Sequence, residues 1–510
     1  MEMSTLHQRL AALSADRLAG MRRGIEKEGL RAQLSGALAL TPHPAALGAA
    51  LTHPNITTDY SESQLELITG AHRSVQGCLD ELHEIHQFVH RALQQQSGGG
   101  EMLWVSSMPC MLPPDETIPL GRYGNSNSGR SKSVYRMGLG HRYGRRMQTI
   151  SGIHYNWSLP GVTSDEYFAL IRNFRRNAFV LLYLFGASPA LCPNFVQGRE
   201  HRLQPLGDGK GALYLPHATS LRMGRLGYQS DAQATLAVSY NGLQGYADSL
   251  HEALSRPYPA YEAIGIRNLG GEYNQLGTSL LQIENEFYGT IRPKRTVKSG
   301  ERPLHALRER GVEYVEVRLM DLDPFVPVGI TLETMRLLDV FLLHCLLCDS
   351  PPDTPEEIAA LQRNQHLTSE RGRENGLRLT HGARQELLTE WGAHVLAGCL
   401  PIAAALDAVC GGDHYAQAVV AAQGVMAAPH TTPSARVLDA LVQQHSNDFT
   451  AFARAYSQSA RDVLLAQPWT QAQQQRYATL AAQSLADQRA IEAADTLPFE
   501  QWREQYMALD

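Results

Sequence analysis

The chain has 510 residues, which is enough for two or three modest domains or one large enzyme domain with extensions. Apolar residues make up 43% and charged residues 19%, as is ordinary for a soluble globular protein. The formal net charge is -6, so the composition indicates no general affinity for nucleic acid or for an anionic membrane, and any polyanion must be bound by a local basic cluster.

The N-terminal segment MEMSTLHQRLAALSADRLAG predicts a short amphipathic helix. It lacks a basic start followed by an apolar run, so it does not resemble a secretory signal. The most apolar stretches, residues 179–192 and 339–349, are shorter than the roughly 20 residues of a membrane span and predict buried helices.

The seven cysteines are scattered along the chain, and their odd number argues against a disulfide framework. This pattern favours a cytoplasmic location. Cys345 and Cys348 form a CxxC pair inside an apolar helical run. Because thiols are often buried, we interpret this pair as core residues rather than as a metal or redox site.

Carboxylates recur in strand-like segments near the N-terminus. GIEKEGLR places Glu26 and Glu28 two residues apart, which puts both on one face of a strand. ITTDYSESQLELIT adds Asp59 and Glu66, with Glu62 close to them in sequence. Each segment is flanked by apolar residues, which predicts a sheet that packs on one side and faces a polar cleft on the other.

Helices and strands alternate in the next part of the chain. Residues 75–96 predict a helix that ends at the flexible loop QQQSGGG. ISGIHYNWSLP alternates like a strand and places His154, Asn156 and Ser158 on one face. Residues 164–185 predict a helix with Ser164 as its N-terminal cap.

Acidic and basic residues meet again between residues 280 and 295. LLQIENEFY predicts an alternating strand with Glu284 and Glu286 on the same side. IRPKR follows and offers Arg292, Lys294 and Arg295 as phosphate contacts.

The segment GVEYVEVRLMDLDPF predicts a strand with one apolar and one charged face. Val315, Val317 and Leu319 alternate with residues of the other face. That face includes Glu316 and Arg318, which point the same way. The charged face is useful for ligand binding only if it lines a cleft.

A solvated sheet face explains any single pair of acids, but their recurrence weakens that explanation because clustered acids repel unless cations neutralise them. Carboxylate oxygens suit Mg²⁺ or Mn²⁺ rather than zinc. An isolated histidine is more often a core residue, whereas His154 beside such a cluster is a candidate metal or phosphate contact. Together with Arg318, the set fits phosphoryl transfer.

From Thr354 onward the composition shifts to Ala, Gln, Leu and Arg with helical spacing, and PPDTPEE marks the boundary. We therefore expect a catalytic α/β region over residues 1–350 and a mostly helical region over 351–510 that packs on it. The sequence has no Walker loop, GxGxxG, HExxH or GxSxG motif.

The sequence resembles the proteobacterial type of glutamate–cysteine ligase, also called γ-glutamylcysteine synthetase. The matching stretches are GIEKEGLR, LTHPNITTDYSESQLELIT, VSSMPC, YGNSNSGRSKSVYRMGL, RYGRRMQTISGIHYNWSLP, YLFGASPA, LPHATSLRMGRLGY, LQIENEFYGTIRPKR, GVEYVEVRLMDLDPF and EAADTLPFEQW. They cover most of the first 350 residues in order, together with a stretch near the C-terminus.

The resemblance implies a mixed helix-and-sheet fold in which a glutamine-synthetase-like, curved antiparallel sheet forms the active-site cleft and helices surround it. It also implies a reaction in which ATP drives the joining of the γ-carboxylate of L-glutamate to the amine of L-cysteine through a γ-glutamyl phosphate. This is the first step of glutathione biosynthesis, and feedback inhibition by glutathione would accompany it.

The resemblance further implies roles for individual residues. The implied ligands of Mg²⁺, or alternatively Mn²⁺, are Glu26, Glu28, Asp59, Glu66, His154 and Glu316. Arg318 would stabilise the transferring phosphoryl group, Asp59 is a candidate general base, and the contacts to the nucleotide would be His154, Arg292, Lys294 and Arg295. The implied amino-acid pocket consists of Tyr60, Tyr135, Arg222, Tyr228 and Tyr288.

Two alternatives remain open from the sequence. One is a γ-glutamyl ligase for a different amine acceptor, and the other is a non-catalytic binding or regulatory protein with the same fold. The intact acidic set argues against the second.

Overall fold

The computed structural model describes residues 2–96, 100–226, 231–234, 236–298 and 300–508. The strands are β1 (Arg22–Gln33), β2 (Ile56–Thr58), β3 (Gln64–Ile68), β4 (Glu101–Leu103), β5 (Ile153–Ser158), β6 (Ala190–Leu191), β7 (Gln204–Leu206), β8 (Ala212–Tyr214), β9 (Ile291–Lys294), β10 (Tyr314–Met320), β11 (Arg378–His381) and β12 (Arg384–Leu387).

The helices surround these strands. They are α1 (Glu2–Ala11), α2 (Ala15–Ala19), α3 (Val75–Gln94), α4 (Asn127–Tyr143), α5 (Ser164–Phe185), α6 (Asp231–Ala234), α7 (Leu243–Ser255), α8 (Pro259–Ile264), α9 (Pro303–Arg310), α10 (Leu332–Leu347), α11 (Pro355–Arg371), α12 (Leu388–Cys410), α13 (His414–Ala427), α14 (Pro433–Gln444), α15 (Phe449–Ala466), α16 (Gln471–Ala494) and α17 (Phe499–Met507).

The main sheet is antiparallel, with the strand order β2-β3-β1-β5-β10-β9, and β4 pairs with the far end of β1. One face is covered by helices, since α3 packs on β1 and β3 while α5 packs on β9 and β10. Tyr155, Val315 and Val317 are fully buried on that side. The charged residues of the same strands therefore project from the opposite face, as the alternation predicts.

Several predicted elements match the structure closely. The helix expected over residues 75–96 is α3, and the one expected over 164–185 is α5. The predicted cap of α5 is wrong by one residue, because the cap is Thr163. Its hydroxyl accepts the Glu166 N–H while the Glu166 carboxylate accepts the Thr163 N–H, which forms a capping box.

The strand predicted over residues 280–288 is wrong. The structure has a single 3₁₀ turn at Glu284–Glu286 instead. Glu284 pairs with Arg302 at 2.9 Å, and Glu286 pairs with Arg142 at 2.9 Å. Because each acid forms a buried ion pair outside the main sheet, Glu284 and Glu286 are not part of its charged face.

The predicted helix over residues 179–192 ends early, at Phe185. Gly186 follows, and a Cβ there would lie 2.6 Å from the carbonyl oxygens of Leu182 and Thr219. This close approach of two backbone segments ends the helix. Ala190–Leu191 then pairs with β8 in a small second sheet.

The C-terminal region is mostly helical, as predicted, but it also contains the hairpin of β11 and β12. Residues on both sides of position 350, such as Leu342 and Leu396, belong to one hydrophobic core. The division of the chain at residue 350 stays a prediction.

Helix α12 is long and apolar enough to cross a membrane by length and composition alone. Trp391, Leu396 and Ile402 of this helix are buried against neighbouring elements. A core helix of a soluble protein has the same composition.

A buried ion pair links the main sheet to the helices behind it. Arg23 on β1 lies 2.9 Å from Asp339 on α10, and both side chains are at most 1% exposed. The hydroxyls of Tyr155 and Tyr415 also donate to this carboxylate, at 2.8 and 3.4 Å. Burial raises the pKa of Asp339, although Arg23 opposes that shift.

We expect Asp339→Ala to lower the free energy of unfolding by about 3–5 kcal/mol, because it leaves the buried Arg23 guanidinium without its partner. The matched control is Asp349→Ala, which removes the exposed pair with Arg9 and costs at most about 1 kcal/mol. Denaturant unfolding of both variants measures the difference. Equal losses would contradict a special role for the buried pair.

Candidate active site

One cleft over the charged face of the main sheet collects most of the predicted site residues, and its volume is about 430 Å³. The predicted residues that line it are Glu26, Glu28, Asp59, Tyr60, Glu66, Tyr135, His154, Arg222, Tyr288, Arg292, Lys294, Glu316 and Arg318. Arg295 does not line the cleft, and Tyr228 lies outside the described residues.

The register of the strands brings the acidic residues together. Glu28 on β1 is paired with Glu66 on β3, and Glu26 is paired with His154 on β5. Glu316 on β10 is paired with Asn156, the next residue of β5 on the same face. Because paired residues on one face lie about 5 Å apart, the sheet brings these residues together.

Three of these residues form a candidate metal site. Ligand atoms of Glu26, Glu66 and His154 all lie within 4.8 Å of one another. His154 Nδ1 is 3.1 Å from Glu26, and its Nε2 is 3.5 Å from Glu28. The chemistry of this set, carboxylate oxygens with one imidazole, fits Mg²⁺ or Mn²⁺.

The electrostatics of the cluster also fit a bound cation. Burial and the neighbouring carboxylates Glu26, Asp59 and Glu28 raise the pKa of Glu66 well above its usual value. Burial and Asp59 raise the pKa of Glu28 to about 8. A divalent cation at this position would neutralise charges that otherwise repel one another.

Glu316 has a different environment from the other acids. Its carboxylate is 1% exposed and lies 3.1 Å from Lys294 Nζ and 2.9 Å from Arg318 Nη1. Burial opposes ionisation, but these two cations lower the pKa of Glu316 well below its usual value. The β9–β10 side of the cleft is therefore cationic around one fixed carboxylate.

The basic residues of IRPKR separate in the structure. Lys294 faces the cleft, and Arg292 reaches it while donating to the carbonyl oxygens of Asn285 and Phe287. Arg295 points elsewhere, because its guanidinium donates to the Gly311 carbonyl at 2.8 Å and holds the turn before β10. The predicted nucleotide contact at Arg295 is thus not supported by its position.

The predicted amino-acid pocket is partly assembled. Tyr60 is 1% exposed, and its hydroxyl has no hydrogen-bond partner among the described residues. The Tyr288 hydroxyl contacts the Gln148 amide at 2.9 Å. Arg222 is buried, and its guanidinium donates to the Arg318 carbonyl at 2.9 Å. This hydrogen bond stabilises β10 at the floor of the cleft.

Sequence reasoning missed a wall of the cleft. Lys132, Tyr135, Arg136 and Leu139 line it together from α4, yet only Tyr135 was expected there. Their spacing of i, i+3, i+4 and i+7 is that of one helix face, and a helical reading of GRSKSVYRMGL would have grouped them. Arg136 also donates to the Asp59 carbonyl, which joins this wall to the acidic cluster.

Two further features concern the cleft lining. Ile358, Leu361 and Gln365 of α11 form part of the opposite wall, so residues beyond position 350 contribute to the site. None of the described residues that line the cleft is a cysteine.

We expect Mg²⁺ to raise the Tm of the wild-type protein and to have little effect on Glu66→Gln. Without metal, the variant should unfold at the wild-type temperature or above it, because it loses a repelling charge. Thermal unfolding with and without Mg²⁺ measures both effects, with the exposed Glu390→Gln as the control. A full Mg²⁺ shift in Glu66→Gln would remove this residue from the metal site.

The chain is similar to known glutamate–cysteine ligases. The family model described as glutamate–cysteine ligase matches residues 8–368. A glutamate–cysteine ligase of Alcanivorax borkumensis is 46% identical over 530 residues, covering 99% of each chain. One from Azotobacter vinelandii is 48% identical over 506 residues, covering 95% of this chain and 94% of the relative.

Solved structures confirm the predicted fold class. A glutamate–cysteine ligase of Francisella tularensis in complex with AMP superposes with a TM-score of 0.89 at 35% identity, covering 96% of this chain and 97% of that one. A bifunctional glutathione synthetase of Pasteurella multocida shares the fold, with a TM-score of 0.70 at 23% identity, and the match covers 98% of this chain and 60% of that one. The chain belongs to the glutamate–cysteine ligase family.

Proposed function

We propose that the protein uses ATP to join the γ-carboxylate of L-glutamate to the amine of L-cysteine, which is the first step of glutathione biosynthesis. The observation that supports this most directly is the cleft itself. It sets an acidic cluster suited to a divalent cation beside Lys294 and Arg318, which are suited to phosphate. Family membership supplies the reaction.

The reaction needs an activated carboxyl group. A carboxylate is a poor acyl donor because its leaving group would be oxide, and transfer of the γ-phosphate of ATP gives an acyl phosphate with a good leaving group. Arg318 stabilises the charge that develops on the transferring phosphoryl group. Glu316 holds the Arg318 guanidinium at 2.9 Å and Lys294 at 3.1 Å, which orients both cations toward the same space.

Glu26, Glu28, Glu66 and His154 would hold the Mg²⁺, with Mn²⁺ as the alternative. When bound, the metal neutralises the phosphate and carboxylate groups that would otherwise repel each other. A bound cation of this kind would neutralise the cluster in which burial and neighbouring carboxylates raise the pKa values of Glu28 and Glu66.

The amine of cysteine must lose a proton before or as it attacks the acyl phosphate. We propose that the Asp59 carboxylate, which lines the cleft, accepts this proton. The Asp59 carbonyl accepts the Tyr123 hydroxyl at 3.0 Å and also the Arg136 Nε–H, so the backbone at this position is fixed.

We include inhibition by glutathione and a cytoplasmic location in the proposal. Glutathione contains the γ-glutamylcysteine unit that the cleft forms, so it can occupy the same pocket. The cytoplasmic location is supported by the cysteines, since no disulfide joins any of them in the described part of the chain.

We expect Arg318→Lys to lower kcat by about 100-fold, because lysine keeps the charge but loses the planar pair of donors. Glu316→Gln should lower it similarly, since both cations lose their carboxylate partner. Arg295→Lys is the matched control outside the cleft and should retain near-normal kcat. Phosphate release with ATP, Mg²⁺, glutamate and cysteine measures all three, and normal rates in the first two variants would place the reaction elsewhere.

Amine acceptors separate the proposed function from a ligase for another amine. 2-Aminobutyrate carries a methyl group where cysteine carries a thiol. We therefore expect their kcat/KM values to differ by about 10- to 200-fold, which corresponds to about 1–3 kcal/mol. Cysteamine lacks the carboxylate and should be a much poorer acceptor than 2-aminobutyrate. Product analysis with these three amines is the test, and a higher kcat/KM for cysteamine than for cysteine would favour the other ligase.

A further inference from the structure

The C-terminal stretch EAADTLPFEQW has no part in the chemistry proposed above, yet it makes specific contacts. We call residues 492–507 the tail segment. None of its residues lines the cleft in the described structure. We propose that the tail segment is a positioning element that holds α4, and with it the amino-acid wall of the cleft, in place. This inference rests on the proposed function, and it places the cysteine pocket at α4 because Tyr135 of that helix lines the cleft and belongs to the amino-acid pocket that the family resemblance implies.

The tail segment binds the N-terminal end of α4. The backbone N–H of Asn127, the first residue of the helix, donates to the Asp495 carboxylate, and the Asn127 side chain donates to the Leu497 carbonyl at 2.9 Å. The N–H of Asn125 donates to Glu492 at 2.8 Å. The first amides of a helix lack partners within it, and carboxylates there are stabilising, so these contacts fix where α4 begins.

The tail segment also packs against the side of α4. Phe499 is 7% exposed and forms a small hydrophobic cluster with Val134 and Leu276. Tyr135 and Trp502 pack at the edge of this same cluster. Tyr135 also lines the cleft, so one side chain contacts the tail segment's cluster and faces the site.

A third set of contacts reaches α4 through the segment before the 3₁₀ turn. Arg503 donates to the Leu276 carbonyl at 2.7 Å, and the Leu276 N–H donates to Gln282 at 2.9 Å. The Gln282 amide donates to the Tyr135 carbonyl at 3.3 Å. A Cβ at Gly138 would clash with the Gln282 side chain, so this residue lies directly against the helix.

These contacts predict a selective effect on the reaction. A shift of α4 moves Lys132, Tyr135 and Arg136, which form one wall of the cleft. It leaves the acidic residues on β1, β3 and β10 in place, because the strand register holds them. Loosening the tail segment should therefore weaken cysteine binding more than it affects ATP.

The test uses Asp495→Ala and Phe499→Ala in the full chain. We expect the KM for cysteine to rise roughly five- to tenfold while the KM for ATP stays within about twofold, since small displacements of positioning groups have large effects. Asp487→Ala on α16 is the matched control, because that exposed carboxylate accepts a hydrogen bond from Gln483 of its own helix. Phe499→Leu should restore most of the wild-type KM.

Hydrogen exchange provides a measurement that does not depend on activity. Amides of residues 127–143 should exchange faster in both alanine variants, while those of β1 stay protected. Unchanged exchange in α4, or a lower Tm with all KM values unchanged, would overturn the proposal and leave the tail segment with a purely structural role. So would equal increases in the KM values for cysteine and ATP.

The two proposals fail in different ways. If the wild-type protein forms no γ-glutamylcysteine, the proposed function fails, and hydrogen exchange still decides whether the tail segment holds α4. If Phe499→Ala does not fold, Asp495→Ala decides the question. This variant removes the hydrogen bond from the Asn127 N–H and leaves the hydrophobic cluster of Phe499 intact.

Discussion

Repulsion among carboxylates that are buried or partly buried is the constraint on which the site depends. Glu26, Glu28 and Glu66 meet on one face of the main sheet, where burial makes an unpaired negative charge costly. Protonation or nearby cations relieve the repulsion in such a cluster. On one side the protein supplies them itself, as Lys294 and Arg318 around Glu316. On the other side, ligand atoms of Glu26, Glu66 and His154 lie within 4.8 Å of one another, which is close enough for them to share one metal ion.

A rigid sheet is the means by which these charges are held together. Antiparallel pairing fixes each acid opposite its neighbour, and the helices on the other face prevent the strands from sliding. The ion pair of Arg23 and Asp339, with its two tyrosine donors, connects the beginning of β1 to α10 and α13. Sites built on strands supported in this way keep their geometry better than sites on loops.

The walls of the cleft have a different origin from its floor. The floor, made by the sheet, contains the groups suited to metal and phosphate. The walls come from helices α4 and α11, which are distant from each other in sequence. Helix α4 is in turn held by the tail segment, through Asp495 and Phe499. The floor and the walls thus come from separate elements, and Arg136 of α4 connects them through its hydrogen bond to the Asp59 carbonyl.

The sequence by itself determined which residues share a face within one strand. Glu26 with Glu28, and Glu316 with Arg318, follow from the two-residue period of a strand, which is a local property of the backbone. The resemblance to the family then joined these local faces into one site and identified the fold, which the comparisons confirm.

Only the tertiary structure decided the features that depend on distant partners. Glu284 and Glu286 look like site acids in the sequence, but Arg302 and Arg142 bind them elsewhere. Arg295 turns away to Gly311, while Arg136 and Lys132 join the cleft from a helix. A local pattern shows which way a side chain points along its own element. Which ion-pair or hydrogen-bond partner that side chain meets depends on long-range packing, and no short stretch of sequence specifies it.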